Sequence, residues 1–114
     1  MAIDYSKQIG KKISTKGNKR KSINIENIMY LQCDGDLTTI YLDNEEKVYE
    51  IKTLKEFEEE LCDKAFFRIN YNTIVNGKYI TEMDTKINKR MVCLGKIVLK
   101  ISKNRLKNFK NWIS

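Results

Sequence analysis

Between two apolar pairs, Phe66–Phe67 and Ile74–Val75, the sequence sets Asn70, Tyr71 and Asn72. A carboxamide both donates and accepts hydrogen bonds, so two of them around a phenol can read a polar edge. Asparagine is a poor strand former and a poor helix-interior residue, which marks these residues as a segment held at the surface between buried anchors. The plainer use is a loop, with Tyr71 in the core and the asparagines only forming the turn. Arg68 and Asn76, which border the segment, are read as structural: Arg68 pairs with an acid and Asn76 satisfies a turn.

A second cluster, Lys103, Asn104 and Arg105, follows Ser102, a natural N-cap. Unpaired backbone N–H groups at a helix start attract phosphate, and adjacent cations strengthen that attraction. A solvated helix end is the alternative. Lys19, Arg20 and Lys21 in a cationic turn, with Lys89, Arg90 and Lys107, can neutralise phosphates but carry no sequence information by themselves.

Acid–base and metal chemistry are poorly served. Asp34 and Asp36 flank Gly35 and could share a proton or a cation, but Asp-Gly is also the chemistry of a hairpin turn, which is the use expected. The absence of histidine excludes Ser-His-Asp and Cys-His nucleophilic sites and the usual mixed zinc sites. Neither GxxxxGK[ST] nor GxGxxG occurs. No enzymatic activity, cofactor or metal is expected. Cys33, Cys62 and Cys93 are odd in number and widely spaced, and read as small buried hydrophobes in a reducing compartment.

Charge gives the first positive indication of a partner. The 114 residues carry a net +7, unevenly distributed. Residues 1–24 hold seven Lys/Arg against one acid, residues 25–67 four against twelve, and residues 68–114 eleven against two. A segregated basic surface of this kind usually faces a polyanion, most often nucleic acid. No apolar run approaches the roughly 18 to 20 residues of a membrane span, and the N-terminus lacks a signal-peptide core, so a cytoplasmic protein is expected.

The elements that must position these clusters can be read from periodicity. Residues 1–8 read as a loose tail, and one domain is expected over residues 9–114. Apolar alternation predicts strands over IMYLQC and LTTIYL around the Asp-Gly turn, and over KVYEI beyond it. TLKEFEEEL opens with a capping box, Thr53 and Glu56. Leu54, Phe57 and Leu61 share one face of that helix, with Glu58, Glu59 and Glu60 on a solvated side. KYITEMD, KRMVCL and KIVLKI are three further expected strands. Leu106, Phe109 and Ile113, with Trp112 beside them, form the apolar stripe of a basic closing helix. The fold class is mainly β, with one central and one C-terminal helix.

This order of motifs resembles the LytTR-type DNA-binding domain of bacterial response regulators. The segments are NIMYLQCDGDLTTIYL, TLKEFEEEL, FFRINYNTIVNGKYI and IVLKISKNRLKNFK. The family's central pattern, F-x-R-x-H-x-S-x-x-V-N-x-x-x-I, is matched by the Phe66–Phe67 pair before Arg68, with Phe66 in register, and by Arg68, Val75, Asn76 and Ile80; its closing S-R-R is met by Ser102, Lys103 and Asn104. The resemblance spans Ile9 to Ile113. It implies several short twisted antiparallel sheets in a sandwich, and sequence-specific contact with DNA through loops that enter successive major grooves. Carried onto this chain, the contacts would come from Asp36, Leu37 and Thr38; from Asn70, Tyr71 and Asn72; and from Lys103, Asn104 and Arg105.

The chain departs from the pattern at several of these positions. Asn70 stands where the family usually has His, Asn72 where it has Ser, and Asn104 where the second Arg falls, with Arg105 directly after. Asn can pair with adenine and Arg with guanine, so capacity is kept while base preference cannot be copied from relatives. The family's receiver domain has no room in this chain, so a free-standing transcription regulator is expected. Duplex DNA is the expected partner, with a homodimer on repeated half-sites and a membrane-bound or other protein regulator as candidate inputs. Two other classes fit the composition: an RNA-binding β-domain, and a protein-interaction module that kept the fold and lost DNA specificity.

Overall fold

The computed structural model describes residues 3–16 and 21–114. Among the described residues ten strands form three antiparallel sheets. Strands β1 (Lys12–Thr15) and β2 (Lys21–Asn24) make a two-stranded ribbon. A five-stranded sheet is built from β3 (Ile28–Asp34), β4 (Leu37–Leu42), β5 (Lys47–Ile51), β6 (Phe66–Asn70) and β7 (Thr73–Asn76), in the order β5-β4-β3-β7-β6. Strands β8 (Glu82–Asp84), β9 (Met91–Leu94) and β10 (Ile97–Lys100) form the third sheet. Helix α1 (Leu54–Leu61) joins β5 to β6, and α2 (Leu106–Ile113) closes the chain.

The middle of the five-stranded sheet is covered on both faces, which explains why all four residues of β7, polar Thr73 and Asn76 included, are buried without alternation. Ile74 faces a core shared with Ile28, Leu31 and Ile40, the ribbon, and the Leu54, Phe57 and Leu61 face of α1. Its neighbour Val75 faces the opposite core, with Tyr30, Ile69, Val92, Leu99 and Phe109. The chain manages Ile28, Tyr30 and Leu31 on β3 by a register shift between Ile28 and Tyr30, which returns Leu31 to the face of Ile28. Tyr30 stacks on Tyr41, ring centroids 4.2 Å apart. Burial, then the neighbouring Tyr41, pushes the Tyr30 phenol pKa above its ordinary value.

The expected hairpins and helices are present. Gly35 takes φ +61° in the Asp-Gly turn between β3 and β4, a conformation that costs glycine little. Thr53 Oγ1 accepts from the Glu56 backbone N–H at 3.2 Å and so caps α1. Glu59 and Glu60 are exposed as expected, but Glu58 is half-buried and turned to Arg68.

Three expectations need correction. KYITEMD is a strand only over Glu82–Asp84, because Gly77–Tyr79 forms a 3-10 turn. The turn is held by Asn76 Oδ1, which accepts from Lys78 N–H at 2.9 Å, and by the Tyr79 hydroxyl, which donates to Glu26 O at 2.7 Å or the Asp43 carboxylate at 2.9 Å. Burial first, then the Asp43 hydrogen bond, raises the Tyr79 pKa well above the ordinary phenol value. Residues 5–8 are docked rather than loose. Gln8 is buried and donates to Asn76 Oδ1 at 2.8 Å and Lys64 O at 2.7 Å, while Tyr5 donates to Gly77 O at 3.2 Å. A Cβ at Gly77 would stand 2.8 Å from the Trp112 ring, so glycine permits that close approach. Finally, Cys93 is buried as expected, but Cys62 is exposed at the end of α1 and Cys33 is half-buried.

Candidate nucleic-acid interface

The β6–β7 tip, the β3–β4 turn and the segment before α2 lie side by side at one edge. The turn at residues 70–72 reaches β3 where Cys33 N–H donates to Asn72 O at 2.9 Å, one residue before the β3–β4 turn begins. Asn70 Nδ2 donates to Lys100 O at 2.7 Å, and Ser102 N–H donates to Ile69 O at 2.9 Å. Those two bonds fasten the start of the closing segment to the same tip.

Within the tip, Asn70 works as a brace. Besides its bond to Lys100, its Oδ1 accepts from Asn72 N–H at 2.9 Å, leaving one amide hydrogen and one lone pair for any other partner. Arg68 braces the tip from below: Nη2 donates to Tyr71 O at 2.6 Å, Nε to Asn70 O at 3.3 Å, and Nη1 to Glu58 Oε1 at 3.3 Å. The acid expected for Arg68 is therefore Glu58. Tyr71 is 78 % exposed at the apex, which removes the alternative of a core aromatic. Asn72 is half-buried, and its Oδ1 accepts from the Thr73 hydroxyl at 2.9 Å.

The β3–β4 turn presents only part of its expected triplet. Asp36 and Leu37 are exposed, but Thr38 is fully buried, with its hydroxyl donating to Lys52 O at 2.7 Å. Side chains alternate across a strand, so Leu37 pointing outward turns Thr38 inward. Thr38 is thereby withdrawn from any base edge.

Before α2 the chain makes a 3-10 turn over Lys103–Arg105, and the α-helix begins only at Leu106. Ser102 occupies the N-cap position of this turn without a side-chain cap, since its hydroxyl lies against Asn104 Oδ1 at 2.7 Å and Ile69 O at 3.4 Å. Lys103 and Asn104 are exposed. Arg105 lies partly against the body: its Nη1 is 3.5 Å from Arg68 O and 4.0 Å from Glu58 Oε2.

The expected phosphate contacts divide in the same manner. Lys89 and Lys107 are exposed. Arg90 is not a free cation: Nε donates to Ile101 O at 3.0 Å, Nη1 bonds Ile87 O, and the Arg90 carbonyl accepts from Ile101 N–H at 2.8 Å. Lys19 and Arg20 fall outside the described residues, while Lys21 pairs with Thr15 through the ribbon backbone. Lys100, not among the expected contacts, is exposed beside Asn70; its place between apolar Leu99 and Ile101 was the signal in the sequence. Among the described residues no cluster of His, Cys, Asp or Glu could hold a metal ion, and no helix is long and apolar enough to cross a membrane.

Comparison with known proteins gives the family and the fold. The family model described as the LytTr DNA-binding domain matches residues 18–114. No curated protein sequence matches the chain. A solved structure similar to it is the LytTr DNA-binding domain of a methyl-accepting/DNA response regulator from Bacillus cereus. The two share 18 % identity and a TM-score of 0.78, over 90 % of this chain and 96 % of that one. At that identity the structural likeness speaks for the fold, and the family match speaks for the lineage. The chain belongs to the LytTr DNA-binding domain family, whose domains bind DNA in transcription regulation.

Proposed function

We propose that the protein is a non-enzymatic transcription regulator that binds duplex DNA sequence-specifically, with its loops reading base edges in the major groove. One observation carries this reading: three segments far apart in sequence are fastened to one another at a single edge, with Leu37, Tyr71 and Asn104 exposed there. Asn104 and Asn72 have the donor–acceptor pair that adenine N6 and N7 require, and Arg105 has the fork that guanine O6 and N7 require. Leu37 and Tyr71 offer apolar contact to a thymine methyl, and Asp36 can accept from cytosine N4. Asn70 supports this reading chiefly as the brace that keeps Tyr71 and Asn72 outward. Lys103, Lys107, Lys100 and Lys89 serve phosphates, positioning the domain without choosing sequence.

Selection of fragmented genomic duplex on the purified protein at near-physiological salt, read by sequencing, tests the reading. A short enriched motif, repeated where two copies bind adjacent half-sites, is the expected result. Affinity should fall with a log–log salt slope of about −0.9 per phosphate neutralised. A flat profile, or preference for single strands over duplex, would contradict the reading. The second outcome would favour stacking of unpaired bases on Tyr71.

A further inference from the structure

Between α1 and α2 the surface opens into a groove of about 330 Å³. Phe66, Phe67, Ile74 and Trp112 give it an apolar floor, while Glu58, Arg68 and Arg105 stand at its polar rim. The volume lies at the small end of the range typical of ligand pockets, about 300–1,000 Å³.

The charges at the rim do not balance, since one carboxylate serves two guanidinium groups. Glu58 Oε1 is 3.3 Å from Arg68, but its other oxygen is 4.0 Å from Arg105. The bond from Arg105 to Arg68 O, at 3.5 Å, is long for N–H···O, where about 2.7–3.2 Å is usual. Arg105 therefore presents a planar fork of donors, loosely engaged, at the mouth of an apolar cleft. A molecule with one carboxylate and a compact apolar body matches both features: two parallel N–H···O bonds to Arg105, and ring contact with Trp112 and Phe67.

We infer that this groove is a binding site for a small apolar carboxylic acid, and that its occupancy weakens duplex binding. The second half rests on the proposed reading, in which Arg105 contacts DNA. A carboxylate on Arg105 takes its fork away from a base and places negative charge beside the DNA edge. It also competes with Glu58 for Arg68, whose other donors hold the Asn70 and Tyr71 carbonyls. Linkage makes the effect reciprocal, so duplex must weaken acid binding by the same factor.

Trp112 is the single tryptophan of the chain, so its fluorescence reports the groove directly. The probe is 4-phenylbutyrate, with 4-phenylbutyramide as the uncharged control. The acid is expected to give a saturable change and the amide to bind roughly tenfold more weakly, because a charge-assisted pair is lost. Asn108 is exposed on α2 and lines the groove, so Asn108→Phe should fill it, abolishing the response while leaving duplex affinity in the absence of acid unchanged. Cys62→Leu, which also lines the groove, is the second filling variant should the first fail to fold. Saturating acid should weaken duplex binding severalfold in the unaltered protein and leave a filled variant unaffected. Equal affinity for acid and amide, or an undiminished response in both filled variants, overturns the site. Acid-selective binding with unchanged duplex affinity overturns the regulatory half. A chain that binds acid but no duplex under any condition contradicts the DNA reading and not the groove.

Discussion

The two ends of the β6–β7 hairpin carry the same residue type in opposite circumstances. At the open end, Asn76 is fully buried and makes four hydrogen bonds: Nδ2 to Ile28 O at 2.8 Å and Gln8 Oε1 at 3.2 Å, and Oδ1 from Gln8 at 2.8 Å and Lys78 N–H at 2.9 Å. Its carboxamide is spent within the fold. At the tip, Asn70 and Asn72 are half-buried and keep part of their hydrogen-bonding capacity. One hairpin thus holds a fully engaged asparagine and two that keep capacity for an outside partner, separated by burial and not by chemistry. The buried end fixes the frame, and the tip, braced by Arg68 and Asn70, is the end proposed to meet DNA.

The largest effect should come from breaking the buried end. Asn76→Ala leaves Gln8, Ile28 O and Lys78 N–H without their partner, and each buried unsatisfied group costs about 1–3 kcal/mol. Denaturant unfolding should show a loss of about 3 kcal/mol or more, with DNA binding falling only as the folded fraction falls. Arg68→Ala should come next, costing about 2 kcal/mol of stability through three lost bonds. Unlike the first variant, it should erode the preference for one sequence even where the protein is fully folded, because the tip loses its brace.

Asn104→Ala or Arg105→Ala should leave stability nearly unchanged and cost about 1–3 kcal/mol on the preferred duplex, with relaxed preference at particular base pairs. Lys107→Ala should weaken every sequence alike and reduce the salt slope by about one phosphate. If Arg105→Ala and Lys107→Ala behaved identically across sequences, the division between base readers and phosphate contacts would fail. The smallest effect belongs to a site remote from the edge. Tyr79→Phe should cost about 1 kcal/mol at neutral pH. The raised phenol pKa means this contribution is fully present below the ordinary tyrosine value of 10.0 and lost as pH rises through the higher folded value. The difference between variant and parent should therefore narrow above pH 10.

Much of the frame was legible because it follows local rules. Leu54, Phe57 and Leu61 repeat at helical spacing behind Thr53, and the helix lies where they predict. The Asp-Gly turn and the β3–β4 pairing were equally readable. What escaped depends on distant partners. Gln8 looked like part of a polar tail because its partner Asn76 lies 68 residues away. Thr38 fell within an expected contact triplet, yet strand alternation turns it to the Lys52 carbonyl. Lys78 and Tyr79 read as the start of a strand because nothing local shows that the Tyr79 hydroxyl reaches Glu26, 53 residues away.

The candidate site was legible in a different way. The polar character of residues 70–72 and the cationic run at 103–105 stood out from the sequence itself, whereas the β3–β4 turn entered only through the family resemblance. No periodicity reveals that these segments meet, because the bonds that join them, Cys33 to Asn72 and Asn70 to Lys100, bridge separate strands. The role of Arg105 was only half visible, since its loose tie to Glu58 comes from α1, across the groove.

The most direct test is the ratio of affinities for the selected duplex and a scrambled one, measured at two salt concentrations for the parent protein and for Arg105→Ala. The account predicts a large parental ratio that persists as salt rises and that collapses in the variant, while the variant's affinity for scrambled duplex falls only slightly. A parental ratio near one, or a variant that loses both duplexes equally, would contradict a sequence-reading edge and leave only electrostatic attachment.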